Sequence, residues 1–194
     1  TDGCLMTMRD NDIVNSAPAL QADHVALDAV CGEIDIRIDA TGLWHYHGSP
    51  IGRKELVKLF SSVLQRDEKG DYWLITPVEK GRIRVDDAPF MAIIMTVEGT
   101  GEDQQLHFET NVGDTFCAGP DHPIRVVTDP LSGEPSPYVR VRGDDDTALD
   151  AKINRPVFYD LVDLAVERDS PGGRCLGVWS GGLFFAIGAC EENS

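Results

Sequence analysis

Ile51-Gly52-Arg53-Lys54-Glu55-Leu56-Val57-Lys58-Leu59-Phe60 is the stretch on which the fold turns, because its pattern recurs as Ile153-Asn154-Arg155-Pro156-Val157-Phe158-Tyr159-Asp160-Leu161-Val162. Each copy places an Ile-x-Arg start before apolar residues spaced by three and four, the spacing of a helix that buries one face. In the first copy the stripe reads Leu56, Leu59, Phe60, Val63 and Leu64, with Gly52 as N-cap and an end near Gln65. In the second it reads Phe158, Leu161, Val162, Ala165 and Val166, with Asn154 as N-cap and Pro156 in the first turn. A polar turn and an apolar run follow both: Tyr72 to Ile75 after the first, Cys175 to Trp179 after the second. A unit used twice predicts a duplicated α+β chain whose halves meet at a cleft, where ligands are commonly held.

Strand signals fill the space around the two helices. Ile34, Ile36 and Ile38 alternate with Asp35, Arg37 and Asp39, the period of a half-buried strand. The turn Ala40-Thr41-Gly42 returns it through Leu43 to His47, with Trp44 and Tyr46 on the inner face and His45 and His47 on the outer one. Further strands are expected at Tyr72–Ile75, Arg82–Val85, Phe90–Val97, Leu106–Thr110, Phe116–Cys117, Ile124–Val127 and Tyr138–Val141, then in a closing hairpin that turns at Ser180-Gly181-Gly182. The strands are mostly antiparallel. The Gly-rich acidic stretch from Glu98 to Gln104 reads as the break between halves, giving a lead-in over 1–20, a first unit over 21–98 and a second over 105–194.

Composition narrows the partners. The 17 Lys and Arg against 33 Asp and Glu leave a formal net charge of -16, a field that repels phosphate backbones and anionic membrane surfaces. No apolar run approaches the ~20 residues of a membrane span. Five cysteines, Cys4, Cys31, Cys117, Cys175 and Cys190, form no C-x-x-C pair and fit a reduced, cytoplasmic setting. No cofactor motif is present.

A cation in the first turn of a helix opposes the macrodipole, so Arg53 and Arg155 call for a compensating negative charge. It is either an anionic ligand in the cleft or an internal acid such as Glu79 or Asp114. Tyr138, Arg140 and Arg142 alternate onto one strand face, either solvated or turned to an anion. His45 and His47 supply two metal donors if a third, His107 or Glu109, approaches. Cys117 with His122, oriented by Asp114 or Asp121, would make a thiol and base for an enzyme acting on a small anionic substrate. Ser180 lacks the G-x-S-x-G elbow, since Val178 stands where its first glycine would be.

Several strings, among them Cys31-Gly32-Glu33-Ile34-Asp35, Gly48-Ser49-Pro50-Ile51-Gly52-Arg53-Lys54, Trp73 to Glu79, Asp87-Ala88-Pro89-Phe90, Thr110-Asn111, His122-Pro123-Ile124-Arg125, Pro137-Tyr138-Val139 and Val178 to Gly182, together resemble an uncharacterised bacterial family, domain of unknown function 1285. The resemblance runs from Cys31 onward. It implies a duplicated α+β architecture with a second half loosely similar to pleckstrin-homology-like folds and an association with regulation or signal transduction, and it brings no established enzyme activity. The acidic insert Asp144-Asp145-Asp146-Thr147 departs from the family pattern. The polar residues within the family motifs are Arg53, Glu79, Thr110, Asn111, Tyr138, Arg142, Arg155 and Ser180. They are the expected site of a non-enzymatic module that binds a small anionic or peptide ligand, or a protein partner. A scaffold that only holds partners is the third reading; it requires an exposed apolar patch.

Overall fold

Alternation along β1 (Val30–Ile38) buries Ile36 and Ile38 and leaves Arg37 to solvent, and this strand seeds the first sheet in the computed structural model, which describes residues 30–170 and 173–188. The lead-in expected over 1–20 lies outside the described residues. β2 (Trp44–Tyr46) and β3 (Ser49–Pro50) follow, then helix α1 (Lys54–Ser62), β4 (Leu64–Arg66), β5 (Tyr72–Ile75) and β6 (Glu79–Val85). The sheet order is β3-β2-β1-β6-β5-β4, and β1 and β6 pair in parallel at its centre.

A second six-stranded sheet comprises β7 (Phe90–Glu98), β8 (Gln105–Thr110), β9 (Thr115–Cys117), β10 (Ile124–Thr128), β11 (Pro135–Arg142) and β12 (Leu149–Ile153). Its order, β10-β11-β12-β7-β8-β9, with β7 and β12 parallel, repeats the first sheet strand for strand. Helix α2 (Arg155–Asp163) then leads into a three-stranded antiparallel sheet of β13 (Val166–Ser170), β14 (Gly173–Ser180) and β15 (Leu183–Ala186). The molecule is thus two sheet-rich halves with one helix each and mostly antiparallel strands. The helix-and-strands unit read from the two Ile-x-Arg starts does recur. The six-strand sheets recur as well, at another offset, with α1 between the third and fourth strands of one and α2 after the sixth strand of the other.

Several boundaries differ from the sequence reading. Glu98 to Gln104 is no break between halves: it closes the β7–β8 hairpin, and the chain changes sheet at residues 86–89 instead. α1 starts after Arg53 and stops at Ser62, because Leu64 leaves the stripe to pair with Leu74 in β4. Leu59 is 60% exposed, and the core side of α1 is carried by Val57, Phe60 and Ser61. On α2 the buried pair is Val157 and Leu161, whereas Val162 and Val166 face solvent. Tyr46 does not join Trp44 inside: Trp44 is buried against Phe60, and Tyr46 is 50% exposed. β12 lies outside the expected strands, although Leu149, Ala151 and Ile153 alternate as a half-buried strand should.

One core runs through both helices and all three sheets. Complete burial of a side chain such as Leu161 contributes about 2 kcal/mol. Among the described residues no helix is long and apolar enough to cross a membrane.

Candidate functional site

α1 does not close fully onto the first sheet. Between them lies a cavity of about 590 Å³. Ile34 and Ile36 of β1 and Leu74 of β5 form its floor, Leu56 and Phe60 of α1 its roof, and Ile51, Pro50 and Val63 its sides. Gly81 keeps the floor flat, since a Cβ there would stand 2.1 Å from Cδ1 of Ile34. Polar groups sit at the ends: Tyr46 and Ser49 at one, Thr76 and Glu79 at the other. The Thr76 hydroxyl donates to the Glu79 carbonyl at 3.0 Å and accepts from its N–H at 3.1 Å, which fixes the β5–β6 turn. The exposed Glu79 carboxylate has no hydrogen-bond or ion-pair partner among the described residues. An apolar enclosure with a few polar groups at its mouth is the ordinary form of a small-molecule site.

The two helix-start arginines diverge. Arg53 is itself the N-cap of α1, in extended conformation, and it makes no capping bond through its side chain. It is exposed and unpaired among the described residues. Arg155 occupies the first turn of α2, where Asn154 caps by accepting the Val157 N–H at 3.0 Å. Glu134 neutralises Arg155 at 2.9 Å, both side chains being solvent-exposed. Neither arginine lines any of the three cavities described in the molecule. The expected arginine-lined cleft is therefore absent from them.

Three other expected site residues weld the halves together. Arg142 of β11 reaches across to the C-terminal end of α1, where its guanidinium donates to the carbonyls of Ser61 and Leu64 and lies 5.4 Å from the Phe90 ring centre. Burial pushes its pKa below the ordinary value, an effect that the charge of Asp114 opposes. Asn111 donates to the Gly42 carbonyl at 2.9 Å and accepts the Met91 N–H at 3.0 Å. Gly42 has φ +78°, and a Cβ there would come within 3.0 Å of Nδ2 of Asn111, so glycine is needed for both turn and contact. Tyr138 donates its hydroxyl to Asp87 at 2.7 Å, and Lys152 pairs with the same carboxylate at 2.6 Å. Asp87 lies in the connection between the two sheets. Arg140, the remaining member of that strand face, pairs with Asp145 of the acidic insert at 2.6 Å.

The rest are local ties. The Thr110 hydroxyl accepts the Asp114 N–H at 3.0 Å. Ser180, fully buried, accepts the Leu106 N–H at 2.9 Å and donates to the Ala118 carbonyl at 2.7 Å, which anchors the third sheet to the second. Cys117 is a free thiol 4.0 Å from that hydroxyl. His122 turns away from it, stacking on Phe116 and bonding the Arg140 carbonyl through Nδ1 at 3.0 Å, so no thiol and base pair forms. His45 pairs with Asp39 at 2.8 Å and His47 with Asp35 at 2.9 Å. Burial pushes the Asp39 carboxyl up, but hydrogen bonds from Thr41, His45 and the Leu43 N–H outweigh it and hold the group well below the usual carboxylate range. His107 instead sits 3.7 Å from Glu98, and no group of three metal donors forms among the described residues. Cys175 is disulfide-bonded, contrary to the reduced state read from the cysteine count.

The opposite face of the first sheet is also concave, but it is lined mainly by charged side chains, most of them paired: Arg82 bridges Glu33 and Asp71, and Arg37 pairs with Asp86, while Arg84 stands exposed among them. The cavity beneath α1 is therefore the better site. It was missed in the sequence because its walls are apolar residues, which periodicity assigns to the core. The one available signal was an α1 stripe wide enough to include both Leu56 and the exposed Leu59.

Comparison with known proteins agrees with this two-part organisation. Residues 28–88 match the N-terminal domain, and residues 89–187 the C-terminal domain, of the DUF1285 family, described as being of unknown function. A crystal structure of a DUF1285 family protein from Silicibacter pomeroyi DSS-3 is similar at 49% identity over 80% of each chain, with a TM-score of 0.73. A second, from Shewanella baltica OS155, is similar at 28% identity over 67% of this chain and 91% of that one, with a TM-score of 0.51. No curated protein matches. The junction at residues 88 and 89 falls in the connection between the two sheets, and with both domain models matched in order the chain belongs to the DUF1285 family.

Proposed function

We propose that the chain is a non-enzymatic binding module that takes a small ligand into the cavity beneath α1. One observation carries this reading: the 590 Å³ cavity is apolar along its length and polar only at its ends, whereas Arg142, Asn111, Tyr138 and Ser180 are engaged in holding the fold together. The second half then acts as a pleckstrin-homology-like frame that holds α1 from behind through Arg142, and occupancy of the cavity is what a regulatory role would sense.

The test is titration of the protein with n-octanol, a neutral apolar probe, followed by amide shifts in solution NMR. Shifts are expected to centre on Ile34, Ile36, Leu56, Phe60 and Leu74, and Leu56→Trp is expected to abolish them by filling the space. Shifts scattered elsewhere, or unchanged by Leu56→Trp in a folded protein, would overturn the proposal.

A further inference from the structure

Resting on that reading, we infer that the cavity selects amphipathic cations, an apolar body carrying an amine or related group, over the anions that the helix-start arginines suggested. The charged residue in its lining is Glu79, at the mouth beside Thr76. Its carboxylate is exposed and has no partner among the described residues, whereas most acids nearby are engaged: Asp35 by His47, Asp39 by His45 and Thr41, Glu33 by Arg82. An unpaired carboxylate over an apolar floor offers a cation both charge contact and a place for its hydrocarbon. The neutral hydroxyls of Tyr46 and Ser49 close the other end, so no lining group repels a cation. Arg53, the cation nearest in sequence to that end, is exposed and outside the lining.

The long-range field points the same way. With a formal net charge of -16 the molecule draws cations toward any open mouth and disfavours anions there. Two charges about 4 Å apart at a water-rich surface interact by enough to change affinity about fivefold. That sets the expected discrimination.

The experiment uses the intact chain and three probes of equal chain length: n-octylamine, n-octanol and octanoate, each titrated by NMR at constant ionic strength. Octylamine should bind about fivefold or more tighter than octanoate. Glu79→Gln should cut that ratio at least about threefold. Octanoate binding as well as octylamine, or a ratio insensitive to Glu79→Gln, would overturn the cation preference with the cavity reading intact. Failure of octanol itself would overturn both.

Discussion

The two six-stranded sheets share one strand order but are covered differently. The second carries α2 and the third sheet: α2 packs on β7 and β14, β14 on β8, and β15 on β10. Nothing of its inner face is spare, as Phe90, Ala92, Phe108, Val139 and Ala151 show by their burial. The first sheet has α1, a helix of nine residues, and the cavity lies beneath it. Side chains in protein interiors normally pack as densely as organic crystals, so an apolar void of this size reflects too little covering material rather than loose packing. The difference teaches that a duplicated sheet leaves a cavity where its cover is shorter than its face.

Truncation on the two helices should separate them most widely. Leu161→Ala, beneath α2, removes a fully buried side chain from a closed core and should cost about 3 kcal/mol. Leu56→Ala borders a void and solvent already and should cost less than about 1 kcal/mol. Urea unfolding of both variants measures this. Equal losses would mean that α1 is packed as tightly as α2, which would break the comparison.

The next effect concerns what holds the shorter cover in place. Arg142→Ala strips the Ser61 and Leu64 carbonyls of their charged donor and should cost about 2 kcal/mol. Arg142→Lys should restore less than half of that, because an ammonium cannot span two carbonyls and lie over the Phe90 ring as the planar fork does. The loss is expected in amide exchange of α1 before that of α2. Uniform loss of protection would show that the halves unfold as one unit.

The helix starts should respond in opposite directions. Asn154→Ala removes a made capping bond and should cost about 1 kcal/mol. Arg53→Ser supplies a cap that α1 lacks and should stabilise by up to about 1 kcal/mol. Thermal unfolding of both proteins decides it. A destabilised Arg53→Ser would mean that Arg53 holds α1 by some contact other than a cap.

This asymmetry also explains what could be read from the chain. The helices, the alternating strands β1 and β11 and the closing hairpin were legible, since each follows from a local period. The parallel pairings of β1 with β6 and β7 with β12 were not, because they join residues far apart and leave no local mark. The surroundings of the expected site residues were illegible for a related reason. Arg53 and Arg155 look alike in sequence, yet Glu134 beside Arg155 arrives from a distant turn. Arg142, Asn111 and Tyr138 drew attention as polar residues within motifs, and the structure spends them on holding the halves together. The cavity walls carry no polar signal at all.

The smallest expected effect tests the junction between the sheets. Burial, then the hydrogen bond to Asp87 and the charge of that carboxylate, push the Tyr138 phenol up to about 12. An unperturbed phenol titrates near ~10. The folded state therefore favours the protonated phenol, and its contribution is complete below about pH 10 and lost as pH rises through about 12. Stability should fall between these limits more steeply in the native protein than in Tyr138→Phe, with the two curves parallel at lower pH. Tyr72, which burial also pushes up, adds the same slope to both proteins. The effect is small because Tyr138 is only half-buried and water screens its ionised form. Curves that stay parallel to pH 12 would show that the Tyr138 bond to Asp87 does not bear on folding, leaving contacts such as those of Arg142, Asn111 and Arg66 to fix the fully covered sheet to the partly covered one.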